Sequence, residues 1–190
     1  MATTVIRAMS QLGETPDIWE EPVFRQLFLE HYCRVVGVLM RLLGDRTVAE
    51  EVANDAFLRL YRQPASLQVD GNVGGWLYRT ATHLGIDALR AGNRRQKYEQ
   101  SAGRLIHEKT QPGPLDEILR EEKCRRVRAV LSSIKPAQAQ LLILRSSGLS
   151  YKELAEALDV KPGNIGTMLN RAEVEFRARY IEMHGREEES

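Results

Sequence analysis

The sequence predicts an all-α fold of two small helical bundles joined by a flexible linker, the C-terminal one containing a helix-turn-helix. Apolar residues recur three and four positions apart over most of the chain, which is the period of one-sided helices. No strand-like alternation of apolar and polar residues continues beyond a few positions. The segment 92–114 is poor in apolar residues and ends in prolines, so it divides the helical pattern into two parts.

The composition excludes several classes of protein. The 190 residues are 43% hydrophobic, which is enough to bury a core, and no apolar run approaches the roughly 18 residues of a membrane span. The two cysteines, Cys33 and Cys124, argue against a disulfide framework and fit a reducing cytoplasm. The formal net charge of +1 gives no global indication of nucleic-acid binding, so local patches must carry that argument.

Residues 22–91 are predicted to form the first bundle. Its first helix ends at Gly44, and the second begins with a capping box formed by Thr47 and Glu50. The third helix is predicted to end at Gly92. Three amphipathic helices with short connections can cover one another's apolar faces, so this segment can fold as a small bundle.

The helical pattern resumes after the linker and predicts a second bundle over residues 115–184. Ser150 and Glu153 form a capping box in it, and Pro162 suits the first turn of the last helix. The segments outside the bundles are an N-terminal extension at 1–21, predicted to be flexible, the linker at 92–114 and an acidic tail at 185–190.

The last two helices have the spacing of a helix-turn-helix. This motif needs a small residue, a turn residue four positions later and a branched apolar residue six positions beyond, which here are Ala155, Asp159 and Ile165. Its second helix can enter a major groove about 12 Å wide, although a helical hairpin that binds no DNA has the same spacing. The predicted exposed face of this helix consists of Lys161, Asn164, Thr167, Asn170 and Arg171. The amide of Asn170 can pair bidentately with adenine, and the cations Lys161 and Arg171 can bind phosphates or guanine.

The stretch from Gly148 to Ile165 resembles region four of bacterial RNA polymerase sigma factors. Two earlier stretches, 41–61 and 75–90, resemble region two of the same factors. Both regions stand in the family's order with only a linker between them, which is the layout of the extracytoplasmic-function (ECF) group. The resemblance implies an alternative sigma factor that binds core RNA polymerase at its clamp and flap, recognises minus-ten and minus-thirty-five promoter DNA elements and initiates transcription.

The resemblance also implies an anti-sigma factor as a further partner and a cytoplasmic location without stable membrane insertion. No cofactor and no metal site is predicted, because the four histidines are scattered without the spacing of metal ligands. No enzymatic activity is predicted for this chain either, since synthesis of RNA would belong to the polymerase core.

The resemblance assigns Glu51, Asn54 and Asp55 to a face that grips the polymerase clamp. Their spacing of three and four puts these side chains on one side of a helix, so they can meet a partner together. The family more often has aspartate, glutamine and glutamate at these positions. A face that is merely solvated is the alternative interpretation.

For the minus-ten element, the resemblance implies an aromatic platform for unstacked bases, with cations along the nucleic-acid backbone. The matching residues are Asn72, Trp76, Arg79, His83, Arg90, Arg94 and Arg95. Trp76 has an alternative place in the core, and the basic run has an alternative as a solvated flank of the linker. His83 stands where the family usually has asparagine.

The recognition helix departs from the family at Gly166 and Met168, where lysine and arginine are common. Fewer cations mean fewer phosphate contacts and a weaker dependence of DNA binding on salt. This departure motivates a second hypothesis, a sigma-like decoy that binds an anti-sigma factor without promoter-directed activity. A third is a helix-turn-helix regulator that binds an operator through residues 115–183 and ignores core polymerase.

Overall fold

The computed structural model describes residues 21–62, 72–101 and 115–185. Seven helices occupy nearly all of these residues, and no strand is present among them, which confirms the predicted all-α fold. The helices are α1 (Glu21–Leu43), α2 (Arg46–Tyr61), α3 (Val73–Ser101), α4 (Leu115–Ser133), α5 (Pro136–Ser146), α6 (Tyr151–Leu158) and α7 (Pro162–His184). Most of the predicted N-terminal extension, linker and acidic tail lies outside the described residues.

Helices α1, α2 and α3 pack around an aromatic cluster. Phe57 of α2 is completely buried, and its ring centroid lies 4.9 Å from that of Phe28 and 5.8 Å from that of Tyr32. The ring of Phe24 meets Phe57 edge-on, with 6.5 Å between centroids. Gly44 ends α1 as predicted, with a φ of +76° that glycine adopts without strain.

The predicted capping box at the start of α2 is wrong. The N-cap is Asp45 and not Thr47, and the Asp45 carboxylate accepts a hydrogen bond from the backbone N–H of Val48 at 3.1 Å. Glu50 instead accepts a hydrogen bond from Nε of Arg46 at 2.8 Å on the helix surface. Asp45 takes the cap because it is extended immediately before the first helical turn, within reach of the free N–H groups.

Helix α3 does not end at Gly92 as predicted but continues to Ser101. Strong helix formers follow Gly92 and offset its cost of about 1 kcal/mol relative to alanine. Two neighbouring side chains are also anchored to α4, since Arg90 donates to the carbonyl of Ser132 at 3.1 Å and the Asn93 amide donates to Ser132 Oγ at 2.8 Å. The first part of the predicted linker is therefore helical.

Helices α4 to α7 form the second bundle, and α6 and α7 confirm the predicted helix-turn-helix. Ala155 and Ile165 are buried where the two helices meet. Asp159 joins the helices in the left-handed conformation, with φ 56° and ψ 51°, which aspartate tolerates better than most residues. Pro162 occupies the first turn of α7 as predicted.

The capping box at the start of α6 is present as predicted. Ser150 Oγ accepts from the backbone N–H of Glu153 at 3.3 Å, and the Glu153 carboxylate accepts from the backbone N–H of Ser150 at 2.8 Å. This second hydrogen bond lowers the pKa of Glu153 below its ordinary value. The reciprocal pair therefore fixes the start of the motif's first helix.

We expect Ser150→Ala to lower the free energy of unfolding by about 1 kcal/mol, because the backbone N–H of Glu153 loses the hydroxyl that accepts its hydrogen bond. Urea denaturation followed by circular dichroism measures the change. Ser146→Ala is the matched control, because that exposed hydroxyl only donates to the carbonyl of Ile143 within α5. Equal losses for the two variants would contradict the capping argument.

The two bundles pack against each other. Helix α3 contacts α4, α5 and α6, and buried residues of both bundles form one continuous core. At the interface, the buried Gln140 of α5 donates to Thr82 Oγ1 at 2.6 Å and to the carbonyl of Arg79 at 2.9 Å. Arg34 of α1 faces Glu153 of α6 at 3.8 Å. Arg79, a minus-ten candidate on α3, thus lies beside the helix-turn-helix.

Candidate promoter and polymerase interfaces

The predicted recognition face lies on the exposed side of α7. Its five side chains are all exposed: Lys161, Asn164, Thr167, Asn170 and Arg171. Ile165 and Leu169 point the other way and are buried, so the helix has a structural side and a free side. In a helix-turn-helix, the exposed residues near the N-terminus of the recognition helix are the ones that reach base edges.

The two family departures differ in their surroundings. A side chain at Gly166 would be in ordinary contact with Tyr151 Cε2, at 3.9 Å from its Cβ, so the position has room for a larger residue. Met168 is half-buried and packs against the core. At position 168 the family's cation is therefore replaced by a methionine that packs against the core. At position 166 the glycine has no side chain, so no group occupies the space that a larger residue would fill.

Asn72 and Trp76 form the beginning of α3. The side-chain oxygen Oδ1 of Asn72 accepts a hydrogen bond from the backbone N–H of Gly75 at 2.8 Å. The backbone carbonyl of Asn72 accepts one from the N–H of Trp76 at 3.0 Å. The side-chain carbonyl of Asn72 is therefore occupied as a helix cap, although the residue is exposed. Trp76 is half-buried and packs against the core on one side, so part of its ring remains free.

Arg79 connects this surface to the helix-turn-helix. Its Nε donates to the carbonyl of Ala157 at 2.9 Å, and its terminal nitrogen lies 3.9 Å from Asp159 Oδ2. The guanidinium thereby satisfies a carbonyl at the C-terminal end of α6, where cations are favourable. In this structure Arg79 is engaged with the second bundle.

A cleft of about 790 Å³ separates the two DNA-reading candidates; we call it the interbundle cleft. On one side lie Trp76 and Arg79 of α3, and on the other lie Lys161 and Pro162 at the start of α7. The structure therefore places the start of α3 opposite the start of α7, and of the recognition face Lys161 lines this cleft.

The remaining basic candidates on α3 do not form one continuous patch. His83 is exposed and lies 3.6 Å from the carboxylate of Asp87. Arg90 is half-buried and donates to the carbonyl of Ile134 at 2.8 Å, in addition to its contact with α4. Arg94 and Arg95, one turn further along, are exposed. Arg90 thus serves in this structure to cap the end of α4.

The clamp candidates share one face of α2. Glu51 and Asp55 are exposed, and the opposite face of the helix is buried in the aromatic core. Asn54 is half-buried between these faces, and its Oδ1 is buried without a hydrogen-bonding partner among the described residues. Glu51 and Asp55 are therefore the two members of this set that a partner can contact without rearrangement of the helix surface.

The sequence did not reveal an apolar groove of about 560 Å³ between α4, α5 and α7. Its wall includes Val127, Leu131, Leu142, Phe176 and Tyr180, with Glu173 and Arg177 at its border. Apolar residues at helical spacing predict an amphipathic helix and do not show which of them line a groove. Val127 of this wall is 38% exposed, so packing within the second bundle leaves part of the groove uncovered.

Within the described ranges, no three histidine, cysteine or acidic side chains are close enough to hold a metal ion. None of the helices in that part of the chain has the length and hydropathy needed to cross a membrane.

Two family models match the chain, one on each bundle. The model of Sigma-70 region 2 matches residues 27–95, and that of Sigma-70 region 4 matches residues 124–175. The first covers α2 with most of α1 and α3, and the second covers α5, α6 and the part of α7 up to residue 175. Together the two matches account for more than half of the chain.

Curated relatives agree with these matches. The ECF RNA polymerase sigma factor SigE of Mycolicibacterium smegmatis is 28% identical over 170 residues, which are 87% of this chain and 64% of the relative. The RNA polymerase sigma factor YlaC of Bacillus subtilis is 29% identical over 164 residues, which are 86% of this chain and 94% of the relative. The RNA polymerase sigma-H factor of Pseudomonas aeruginosa is 25% identical over 170 residues, 85% of this chain and 88% of the relative.

The chain spans less than two thirds of the length of SigE but nearly all of YlaC. The resemblance to sigma factors is confirmed, since both regions match in order and several relatives share them over most of this chain. The helical bundles and the exposed recognition helix agree with that match. This chain therefore belongs to the sigma-70 family of transcription initiation factors, in its ECF group.

Proposed function

We propose that this sigma factor binds core RNA polymerase through α2 and the apolar groove, and that it directs the polymerase to promoters through α3 and α7. The observation that carries the proposal is the recognition face of α7, with five exposed polar or cationic side chains at a helix start. A face of this composition on a helix-turn-helix is suited to a major groove.

For the minus-thirty-five element, Asn170 has an amide that pairs bidentately with adenine. Lys161 and Arg171 lie on the same exposed side and bind phosphates or guanine. Glycine at 166 adds no phosphate contact, so the salt dependence of this element is weaker than a more cationic helix would give.

For the minus-ten element, the free part of the Trp76 ring provides a stacking platform for an unpaired base. Asn72 and Arg79 flank the ring at the start of α3, and Arg94 and Arg95 continue along the helix as exposed phosphate contacts. Base stacking on an aromatic ring contributes about 1–3 kcal/mol per base, enough to favour the melted strand locally.

For the polymerase, Glu51, Asn54 and Asp55 bind the clamp. The two exposed carboxylates, Glu51 and Asp55, suit a cationic surface with free donors. The apolar groove receives an amphipathic element of the flap, because it is apolar in its middle and bordered by Glu173 and Arg177.

Two further parts of the proposal rest on the family alone. An anti-sigma factor holds the chain inactive, and the chain acts in the cytoplasm together with the polymerase. RNA synthesis belongs to the polymerase core, and this chain contributes recognition of the start site.

Reconstituted transcription tests the proposal. Sites are first selected from fragmented genomic DNA with the holoenzyme, and the selected fragments are then transcribed with core polymerase with or without the chain. We expect run-off transcripts from defined start sites only when the chain is present. A decoy would bind an anti-sigma factor but give no such transcript, and an operator-binding regulator would select the same fragments without polymerase.

We expect Trp76→Ala to lower the fraction of open promoter complexes by about tenfold, because an unpaired base loses its stacking partner. Permanganate reactivity of unpaired thymines measures the open fraction. Trp76→Phe is the matched variant, because it keeps an aromatic ring over the core and is expected to retain most of the activity. If alanine and phenylalanine give the same open fraction as tryptophan, the ring does not contact a base.

We expect Val127→Glu to weaken binding of an isolated polymerase flap domain by about tenfold, because it introduces a charge into the wall of the apolar groove. Val127 is partly exposed, so the fold tolerates the change. Leu119→Glu makes the same kind of change at an exposed position of α4 outside the groove wall. Calorimetric titration that finds equal affinity for both variants would rule out this groove as the flap site.

A further inference from the structure

Three arginines of α4 line a cleft that the proposed contacts with DNA and polymerase do not use. The cleft has a volume of about 400 Å³ and lies where α4 meets the end of α1; we call it the arginine cleft. Its wall consists of Gly44, Arg120, Glu121, Cys124, Arg125 and Arg128. Positions 120, 124 and 128 are four residues apart, so they share one face of α4. Three guanidiniums and one carboxylate leave an excess of two positive charges in this wall.

Arg128 lies directly against the backbone of Gly44. A Cβ at position 44 would overlap the guanidinium of Arg128, so only glycine leaves the space that this side chain occupies. Arg128 is half-buried, and its Nε has no hydrogen-bonding partner among the described residues. A guanidinium that is partly removed from water attracts an anion more strongly than a fully hydrated one, because the local dielectric constant is lower.

The carboxylates of α4 neutralise only part of the positive charge. Arg125 Nη1 lies 2.7 Å from Glu122 Oε2, so that guanidinium is held in place by an ion pair outside the cleft. Among the described side chains, no carboxylate forms an ion pair with Arg120 or Arg128. Glu121 is the one acidic side chain that the described residues contribute to the wall. The cleft therefore retains positive charge for an anion from solution.

The size and chemistry of the cleft indicate which anion it can bind. Guanidinium groups bind phosphate oxygens through paired N–H donors, and a diphosphate has enough oxygens for two or three of them. A volume of about 400 Å³ equals a cube about 7 Å on a side. This is too narrow for a DNA duplex, whose major groove alone is about 12 Å wide. The described wall also contains no aromatic ring on which a base could stack.

We propose that the arginine cleft binds the diphosphate group of a small molecule, such as pyrophosphate or a nucleoside diphosphate. Arg120 and Arg128 bind the phosphate oxygens, and Arg125 contributes further donors. Recognition is of the diphosphate and not of a base. The wall shares no residue with the recognition face, the clamp candidates or the apolar groove, so this site does not depend on the proposed function.

Calorimetric titration of the full chain with inorganic pyrophosphate tests the proposal. We expect one site per chain and an affinity at least about tenfold higher than for orthophosphate, because the second phosphate group engages a further guanidinium. Equal affinities for the two anions, or no binding at millimolar pyrophosphate, overturn the proposal.

ADP and GDP distinguish recognition of the diphosphate from recognition of a base. Both are expected to bind within about threefold of pyrophosphate, since the wall offers their bases no ring. A nucleotide that binds tenfold tighter than pyrophosphate would mean that its base is read, and would overturn recognition by the diphosphate alone. Displacement of pyrophosphate by a promoter duplex at the same phosphate concentration would assign the cleft to nucleic acid and overturn the proposal as well.

Two substitutions in the wall are expected to act in opposite directions. Arg120→Gln is expected to weaken pyrophosphate binding by about tenfold, and Glu121→Gln to strengthen it by about threefold, because they remove an attraction and a repulsion. Arg59→Gln is the matched control, since it removes the same charge at an exposed position of α2. If Arg120→Gln binds as Arg59→Gln does, or if Glu121→Gln fails to strengthen binding, the wall does not hold the ligand.

The two native cysteines locate the ligand without any substitution. Cys124 lines the arginine cleft, Cys33 lies on α1 outside it, and both are free and exposed. We expect saturating pyrophosphate to slow alkylation of Cys124 by iodoacetamide at least about threefold, because access to the thiolate is reduced, and to leave Cys33 unchanged. Mass spectrometry of the digested chain measures both rates. Unchanged alkylation of Cys124 would place the ligand elsewhere and overturn the proposal.

Discussion

Glu51→Lys is expected to weaken binding of core RNA polymerase by about 30-fold or more. Glu51 is exposed on the face of α2 that also presents the exposed carboxylate of Asp55. A lysine there would face the cations that the carboxylates are proposed to meet, so the variant loses an attraction and gains a repulsion. Anisotropy of a dye-labelled chain titrated with core polymerase measures the affinity.

Glu30→Lys is the matched control for this prediction. It reverses a charge on α1 of the same bundle, where the Glu30 side chain is exposed and lies near His31 at 3.8 Å. The control is expected to bind polymerase within about twofold of the wild type, since exposed charges outside an interface contribute little. If the two variants bind equally well, α2 does not contact the clamp.

Phe57→Ala is expected to lower the free energy of unfolding by about 3–5 kcal/mol, the largest stability effect that we predict for this chain. The side chain is completely buried and contacts the rings of Phe28 and Tyr32, so truncation leaves a cavity among aromatic neighbours. A loss of this size is a large fraction of the stability of an ordinary domain. Chemical denaturation followed by tryptophan fluorescence measures it.

Tyr98→Ala is the control, because it also removes an aromatic ring but at an exposed position. Tyr98 lies on α3 with 75% of its surface exposed, so its loss is expected to change stability by about 0.5 kcal/mol or less. Comparable losses for Phe57→Ala and Tyr98→Ala would mean that the aromatic cluster does not hold the first bundle together.

Local sequence signals predicted most helices of this protein correctly. The pattern around Ala155, Asp159 and Ile165 predicted a helix-turn-helix with an exposed face, and the structure has both. These signals depend on residues a few positions apart, so one stretch of sequence contains them. The same short range explains the error at α2, where the spacing of Thr47 and Glu50 fits a capping box but the extended backbone of Asp45 makes its carboxylate the cap.

The end of α3 depended on residues far along the chain. Gly92 is a reasonable local stop, but Arg90 and Asn93 are anchored to Ser132, about forty positions away. A sequence contains the residues of such a contact and does not show that they meet. The apolar groove was missed for a related reason, since helical spacing does not distinguish a side chain in the core from one in a groove.

The roles of the individual DNA-reading and clamp-binding residues stay predictions. Sequence alone determined which residues share a helix face, because the helical repeat sets that geometry wherever the helix forms. Only the tertiary structure decided that Arg79 and Gln140 join the two bundles and that Trp76 faces the start of α7. Such contacts pair positions tens of residues apart, and their stability comes from burial in a core that exists only after the chain has folded.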